Sequence, residues 1–390
     1  MLLDPIRHEL ESLERHGLLR RLRRVDGASM PELALDGRPV LQFSSNNYLG
    51  LATHPRVTEA AARAARELGA GSGASRLISG NFSLHERLEG ALAAFKGTGS
   101  ALVYATGSMA NLGLLSALAG RGDRIYLDAL GHATLYDGAR LSGAEVLAFP
   151  HNDVAALSAL LDADAGLRGR KLVAVDGVFS MDGDLAPLPE LDALCSRHGA
   201  FLVVDEAHAS GVLGPQGRGS LEHFGLKAHE GLIQVGTLSK AFGSLGGFVA
   251  CEEPLRRYLI TRSRSFVYAT ALPPSCAAAA LEALAVMEQE PGRRERLWAL
   301  RGRLARGLHR LGFDTFGSQT PILPVRMGRV EAALACQERL WEQGIFCPAI
   351  RPPTVPKDAS RLRLSLTADH TEAQVDRLLA ALGGSHAGEP

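Results

Sequence analysis

Hydrophobic and polar positions alternate along the central part of the chain in a pattern that predicts a parallel β-sheet. From residue 100 onward, short apolar runs are separated by longer stretches with the periodicity of helices. The predicted strands are "ALVYA", "RIYLD", "EVLAF", "KLVAVDGVF", "FLVVDE", "LIQVGTL" and "GFVAC". Strands that alternate with helices form a largely parallel sheet with helices on both faces.

The segments on either side of this region predict further helices and a second, smaller unit. An amphipathic helix is predicted within residues 1–24, and another over "SLHERLEGALAAFKG", where Ser83 and Glu86 have the spacing of a capping box. A long helical stretch at 273–311 leads into "PILPVRM", a helix, "GIFCPAI", "RLRLSL" and a last helix. This order of elements predicts a small α+β unit.

The pattern divides the chain into four segments. They are an N-terminal helix and strand segment (1–50), a large α/β domain (51–285), a small C-terminal α+β domain (286–384) and a tail (385–390).

Composition excludes several classes of protein. The 390 residues carry a formal net charge of zero, which gives no indication of binding to nucleic acid or to an anionic membrane. The longest apolar runs fall short of the roughly 20 residues that a membrane span needs, and the N-terminus lacks the apolar core of a signal peptide. Five scattered cysteines form no CxxC pair, which is typical of reduced thiols, so we expect a cytoplasmic protein without a disulfide framework.

Polar side chains and glycines follow several of the predicted strands, at the carboxyl edge where open α/β sheets bind ligands. Singly, each is more often a helix cap, a loop residue or a solvated charge; their coincidence at one edge indicates a site. "YATGSMAN" also leads from a strand into a helix start, which is suited to an anion. The candidates are Gly107, Ser108, His132, Ser180, Asp205, His208 and Lys240.

Lys240, in "GTLSKAFGSLGG", is one of only five lysines in a chain whose other basic residues, 37 in number, are arginines. A guanidinium stays protonated, whereas a lysine amine can lose its proton and condense with a carbonyl. Chemistry at Lys240 would explain why arginine does not occupy this position.

Other motifs are incomplete. "DEAH" at 205–208 lacks the GxxxxGK[ST] loop of nucleotide hydrolases, and "GAGSGA" at 69–74 follows a helix and does not open a βαβ unit. There is no GxSxG elbow of a serine hydrolase, and no pair of histidines has metal-ligand spacing, so we expect no metal site.

With these residues in view, the chain resembles the α-oxoamine synthases, a family of fold-type I pyridoxal-phosphate (PLP) enzymes. The resemblance covers roughly residues 15–384, and its most specific blocks are "SSNNYLG", "GSGASRLISG", "SMDGD", "DEAHASGVLGPQGRG", "TLSKAFGSLGG" and "RLRLSLTADH". It implies an α/β fold in which a large, mostly parallel sheet of the seven-stranded type binds PLP beside a smaller C-terminal α+β domain.

The resemblance also implies a role for each cofactor-binding residue. Lys240 would bind PLP covalently and then act as base, Asp205 would pair with the ring nitrogen, and His132 would stack on the ring. Ser180 and His208 would hydrogen-bond the phenolic oxygen. The phosphate would be held by Gly107, Ser108, Thr237 and, from the neighbouring subunit of a homodimer with shared active sites, Thr270.

For the substrates, the resemblance implies that Arg363 and Asn46 bind the amino acid carboxylate, with His132 close by. Arg20, with Arg351 and Thr354, would bind the distal carboxylate of an acyl donor. Arg20 lies in the basic run Arg20, Arg21, Arg23 and Arg24, which could equally be a solvated surface.

Within the family, "AIRPPTVP" at 349–356 is most similar to the biotin-pathway branch. That branch condenses L-alanine with a pimeloyl thioester, on CoA or on a carrier protein, to give 8-amino-7-oxononanoate. One departure is Ser108, where the branch often has an aromatic residue. The alternatives are glycine C-acetyltransferase or another α-oxoamine synthase, a PLP aminotransferase, and a non-enzymatic binding protein that kept the fold.

Overall fold

The predicted strands between residues 100 and 251 form one seven-stranded sheet in the computed structural model, which describes residues 2–384. The strands are β1 (Val25–Asp26), β2 (Glu32–Leu35), β3 (Arg38–Gln42), β4 (Ser100–Tyr104), β5 (Arg124–Asp128), β6 (Glu145–Phe149), β7 (Lys171–Asp176), β8 (Phe201–Asp205), β9 (Leu232–Thr237), β10 (Gly247–Cys251), β11 (Ile322–Gly328), β12 (Ile345–Phe346), β13 (Ala349–Ile350) and β14 (Ser360–Ser365).

The helices occupy most of the stretches between these strands. They are α1 (Asp4–Arg15), α2 (Pro55–Leu68), α3 (Ser83–Lys96), α4 (Gly107–Leu118), α5 (Ala133–Ser142), α6 (Val154–Ala163), α7 (Leu188–His198), α8 (Ser220–His223), α9 (Glu253–Arg262), α10 (Arg264–Val267), α11 (Pro274–Gln289), α12 (Gly292–Arg310), α13 (Val330–Glu342) and α14 (Glu372–Gly383). None of the described helices is both long and apolar enough to cross a membrane.

The chain divides into two units. The large unit contains Asn47–Ser180 and Leu185–Glu295, and the small unit contains the chain up to Asn46, Met181–Asp184 and the chain from Arg296 onward. The four-segment division drawn from the sequence stays a prediction, and its tail at 385–390 lies outside the described residues.

The sheet of the large unit has the strand order β4-β10-β9-β8-β7-β5-β6. Only β10 is antiparallel to its neighbours, so the prediction of a mostly parallel sheet is confirmed. Successive residues of β8 pack into different cores: Val203 faces one cluster, while Leu202 and Val204 face another. A parallel sheet covered on both faces needs such continuous apolar runs.

The small unit contains two small sheets. Strands β1, β2, β3 and β12 form one, and β11, β14 and β13 form the other. Every residue of β14 is buried, including Arg361 and Arg363. The predicted order of strands and helices in this part of the chain is confirmed.

Three details of the helices differ from the sequence predictions. The first helix ends at Arg15 and does not extend toward residue 24. The long stretch at 273–311 is two helices, because Pro291 cannot continue the hydrogen bonding of α11. Ser83 is the first residue of α3 and not its cap, so the Ser83–Glu86 capping box is wrong; the His85 imidazole accepts the Phe82 N–H instead, at 3.1 Å.

Candidate active site

Three neighbouring strands of the large sheet end in buried aspartates. Asp128 ends β5, Asp176 ends β7 and Asp205 ends β8, and their exposed fractions are 0%, 4% and 5%. Asp176 and Asp205 are register partners in the parallel ladder, so their side chains emerge side by side from the same face. The carboxyl edge of the sheet therefore concentrates carboxyl groups where ligands of α/β sheets bind.

Asp205 is fixed by two hydrogen bonds. Its Oδ1 accepts the Ala207 N–H at 2.9 Å, and its Oδ2 accepts the Asn111 Nδ2 at 2.7 Å. Asn111 comes from α4 and also donates to Thr134 Oγ1 at 2.9 Å. The buried Asn111 Oδ1 has no hydrogen-bond partner within residues 2–384. Asn111 thus uses its two N–H bonds to orient groups at the carboxyl edge.

Asp176 supports the start of α5. Its Oδ2 accepts the His132 backbone N–H at 2.7 Å. Burial and then the charge of Asp205 raise the pKa of Asp176 well above its usual range, against smaller opposing effects of the His132 N–H and Lys240. The His132 side chain caps α5, with its Nδ1 2.8 Å from Thr134 Oγ1.

His208 is buried close to Asp205 in sequence and is held from outside the sheet. Its Nδ1 lies 2.6 Å from the Tyr48 hydroxyl, which is itself buried. This contact fixes the plane of the imidazole, whose ring centroid lies 6.0 Å from that of Tyr48 in an edge-to-face arrangement.

The turn after β9 carries Thr237, Ser239 and Lys240. Thr237 Oγ1 donates to the Gly246 carbonyl at 2.9 Å and accepts the Ser239 N–H at 3.2 Å. These bonds tie the turn to the start of β10, and Lys240 is half-buried beside them. The sheet therefore holds the lysine at its carboxyl edge on a short, fixed connection.

Gly107 opens α4 next to this turn. A Cβ atom at Gly107 would lie 3.1 Å from Thr237 Cβ, so a side chain would crowd the space between helix start and turn. Thr106 caps the helix by accepting the Met109 N–H, which leaves the first backbone N–H groups and the hydroxyls of Ser108, Thr237 and Ser239 grouped together. Such a set of donors is suited to a phosphate group.

These groups surround one cavity of about 260 Å³. Seven residues predicted from the sequence line it, namely Gly107, Ser108, His132, Asp205, His208, Thr237 and Lys240. Five polar residues that sequence reasoning missed line it as well, namely Thr106, Asn111, Thr134, Asp176 and Ser239. Asp176 shares the signal that singled out Asp205, a carboxylate at the end of an apolar strand; Asn111, inside a helix, has no comparable signal.

Two predicted residues of the large unit are not part of the cavity wall. Ser180 is half-buried in the loop that follows β7, and Thr270 is exposed after α10.

Four of the five predicted residues in the small unit form two hydrogen-bonded pairs, and the fifth, Arg351, lies near Arg20. Both terminal nitrogens of Arg363 lie 3.3 Å from Asn46 Oδ1, and one donates to Ser365 Oγ at 2.8 Å. Arg20 donates to Thr354 Oγ1 at 3.0 Å, and Arg351 donates to the Leu19 carbonyl at 3.2 Å. Burial, and then the charge of Arg20, lower the pKa of Arg351, so two guanidinium groups lie close together.

Comparison with known proteins identifies the family. Residues 38–382 match the family model described as aminotransferase class I and II. The chain belongs to this family.

Several relatives within the family are similar over almost their whole length. The chain is 49% identical to an 8-amino-7-oxononanoate synthase of Geotalea daltonii, over 96% of this chain and 95% of that protein. It is also 49% identical to the synthase of that name from Thioalkalivibrio sulfidiphilus, over 98% and 97%. The predicted resemblance to α-oxoamine synthases is confirmed.

Solved structures of family members have the same fold. Serine palmitoyltransferase from Sphingomonas wittichii matches with a TM-score of 0.92 at 36% identity, covering 99% of this chain and 98% of that chain. The 8-amino-7-oxononanoate synthase from Francisella tularensis matches with a TM-score of 0.77 at 29% identity, covering 89% and 98%. The predicted fold class is confirmed, and the chain is a PLP-dependent acyltransferase.

The cavity fits PLP on its own chemistry. The helix start of α4 and the nearby hydroxyls suit the phosphate, Asp205 supplies a carboxylate for the ring nitrogen, and Lys240 supplies a primary amine. The space that a Cβ at Gly107 would fill is part of this cradle. The predicted cofactor is thus confirmed by the family and is consistent with the donor set.

Proposed function

We propose that the chain catalyses the decarboxylative condensation of L-alanine with a pimeloyl thioester, giving 8-amino-7-oxononanoate for biotin biosynthesis. The observation that carries the proposal is the cavity in which Lys240, Asp205 and the start of α4 meet, in a chain that is 49% identical to synthases of that product.

The residues of the site divide into four groups by the part of PLP that they would hold: the phosphate, the ring nitrogen, the ring face and the phenolic oxygen. Gly107, Ser108 and Thr237 bind the phosphate through backbone and hydroxyl donors. Asp205 keeps the ring nitrogen protonated, because a carboxylate next to a basic nitrogen favours the charged form of that nitrogen. His132 stacks on the ring, and His208 hydrogen-bonds the phenolic oxygen together with Ser180, which follows β7 outside the cavity wall.

Lys240 has two tasks. Its Nζ would hold the cofactor covalently and, as a free amine, would take the proton from the substrate α-carbon. Bound PLP would supply an electron sink that stabilises negative charge at that carbon. The bonds of Thr237 fix the turn backbone that carries Lys240.

The arginine pairs of the small unit suit the carboxylates of the two substrates. Arg363 presents a guanidinium that is fixed by Asn46 and Ser365 and can donate two hydrogen bonds to a carboxylate, which suits the α-carboxylate of alanine. Arg20, Arg351 and Thr354 form a second cationic group, and the pimeloyl chain has a distal carboxylate that an acetyl group lacks. This second group favours a dicarboxylic acyl chain.

Thr270 fits a homodimer with shared active sites. Its side chain is exposed and lies outside the cavity wall, so it is accessible to a neighbouring subunit. We propose that it donates to the phosphate of the partner's cofactor. We also propose that the enzyme works in the cytoplasm, where its five free cysteines would stay reduced.

The test is a panel of thiol release. Acetyl-, succinyl-, pimeloyl- and palmitoyl-CoA are each combined with glycine, L-alanine or L-serine and the PLP-loaded protein. Thiol release that requires both pimeloyl-CoA and L-alanine supports the proposal. A preference for acetyl-CoA and glycine would assign the chain to the glycine C-acetyltransferase branch, and amino transfer without thiol release would make it an aminotransferase.

A further inference from the structure

The three buried aspartates at the carboxyl edge differ in the donors that stabilise their charge. Asp128 accepts the backbone N–H groups of Leu130 and Asn152, both at 2.8 Å, and lies 2.9 Å from His151 Nδ1. Asp205 accepts two donors. Within the described chain, Asp176 accepts one, the His132 N–H. Because hydrogen bonds from N–H groups favour the ionised form, Asp176 is the least supported anion of the three.

Asp176 and Asp205 are also connected through a series of polar contacts that begins at the His132 backbone N–H and continues through side chains. Asp176 holds the His132 N–H, His132 Nδ1 contacts Thr134 Oγ1, and the Asn111 amide links that hydroxyl to Asp205. All five residues of this network line the cavity. The same residues therefore set both the position of the ring-stacking histidine and the orientation of the Asp205 carboxylate.

We propose that Asp176 is a positioning residue that is itself a neutral carboxylic acid and holds His132 through the backbone N–H of that residue. Asp205 alone then carries the negative charge that faces the cofactor. The inference rests on the proposed function for the roles of His132 and Asp205. It adds a residue that lines the cavity and acts through the His132 backbone N–H.

The charges around Asp176 agree with a neutral acid. Asp205 on β8 and Asp128 on β5 disfavour a further anion, whereas Lys240 and the His132 N–H favour it. The balance, with burial as its largest contribution, raises the pKa of Asp176. Two carboxylates side by side and away from water repel each other when both are ionised. Proton uptake at Asp176 relieves this repulsion and leaves in place the two N–H donors that Asp205 accepts.

The test compares three variants by their affinity for PLP, measured by equilibrium dialysis without any substrate. D176N keeps the shape and the acceptor oxygen of a neutral acid, so we expect its affinity to fall by no more than about threefold. D176A leaves the His132 N–H unpaired, and we expect a loss of roughly tenfold. D205N removes the working anion, and we expect a loss of at least about thirtyfold.

The opposite pattern would overturn the proposal. A D176N variant as impaired as D205N would show that Asp176 works as an anion, and a D176A variant with wild-type affinity would show that it positions nothing. Thermal unfolding of each apo variant separates a folding defect from a local effect.

Infrared difference spectroscopy supplies a second measurement that needs only wild-type and D176N protein at neutral pH. The proposal predicts that one protonated-carboxyl C=O stretch disappears in D176N, and an unchanged band in that region would contradict it. Neither measurement uses turnover. Failure of the condensation reaction would therefore leave these results interpretable, and their failure would leave the proposed reaction untouched.

Discussion

Asn111 Nδ2 donates to Asp205 Oδ2 at 2.7 Å, from the helix α4 that begins at Gly107. One helix therefore contributes both its start and a side chain one turn later to the cavity wall. In the proposed function its first turn would contribute donors for the phosphate, and Asn111 one turn later would orient the carboxylate for the ring nitrogen. The helix would then have a second function besides binding the phosphate.

Replacement of Asn111 by leucine should weaken PLP binding by roughly tenfold or more, because a hydrogen bond to a charged group is worth about 1.5–3 kcal/mol. Titration of the apoenzyme with PLP measures the effect. Ser116→Ala is the matched control, since Ser116 lies on the same helix and, among residues 2–384, its hydroxyl bonds only to the Leu112 carbonyl. Equal PLP affinities of N111L and S116A would show that Asn111 does not contribute to PLP binding.

Lys240→Arg should abolish the visible absorption of lysine-bound PLP and lower thiol release by roughly a thousandfold or more, because a guanidinium neither condenses with PLP nor accepts the α-proton. Absorption spectra and thiol release are measured on the same preparations. The control is Lys227→Arg, at an exposed lysine outside the cavity. A K240R protein that keeps both the band and full turnover would refute the assignment of Lys240.

Arg20→Gln should raise the KM for pimeloyl-CoA by about tenfold and leave the KM for acetyl-CoA unchanged, because only the pimeloyl chain has a distal carboxylate for Arg20 to bind. The control is Arg21→Gln, whose exposed side chain pairs with Glu14 at 2.8 Å. If the KM for pimeloyl-CoA rises in R21Q and not in R20Q, the residue that binds the distal carboxylate is Arg21. If the KM rises in neither variant, neither arginine binds the distal carboxylate.

Two buried histidines predict a loss of stability in mild acid. In the large unit His85 Nδ1 accepts the Phe82 N–H and its Nε2 lies 2.7 Å from the Leu272 carbonyl. In the small unit His370 Nδ1 accepts the Thr367 N–H, with Nε2 2.9 Å from the Gln42 carbonyl. Both rings are therefore neutral, and burial lowers the pKa of each from its ordinary value of 6.5.

Because the unfolded chain binds more protons than the folded chain below pH 6.5, the histidine contribution to stability is complete above that pH. It is lost as the pH falls toward the lowered folded pKa values, by up to about 1.4 kcal/mol per pH unit for each histidine. Urea unfolding between pH 7.5 and pH 5 measures how steeply the free energy of unfolding depends on pH. His85→Gln should make this dependence less steep. An H85Q slope equal to that of the wild type would show that His85 titrates alike in both states.

The sequence predicted most of the sheet and part of the site, and the reasons differ by residue. The strands ending at Asp128, Asp176 and Asp205 are continuous apolar runs, so their carboxyl edge and Lys240 could be located from pattern alone. Asn111 could not, because the direction of a side chain on a fully packed helix depends on the sheet beneath it. The Ser83–Glu86 capping box failed because His85, one position earlier, reaches the Phe82 N–H.

The small unit shows a second limit of the sequence pattern. Arg20 and Thr354 are 334 residues apart, yet their side chains meet at 3.0 Å. No local periodicity predicts such a contact, and only the resemblance to a family indicated both residues. Local pattern predicts elements, whereas pairs far apart in sequence require the tertiary fold.

The most direct test of the central claim is the fate of the alanine carboxyl group. With carboxyl-labelled L-alanine and pimeloyl-CoA, a decarboxylative condensation releases one labelled CO2 for each thiol and leaves a product of the mass of 8-amino-7-oxononanoate. Equal amounts of thiol and labelled CO2, absent in K240R, are the predicted result. Formation of labelled pyruvate without thiol or CO2 would contradict the account and show amino transfer in its place.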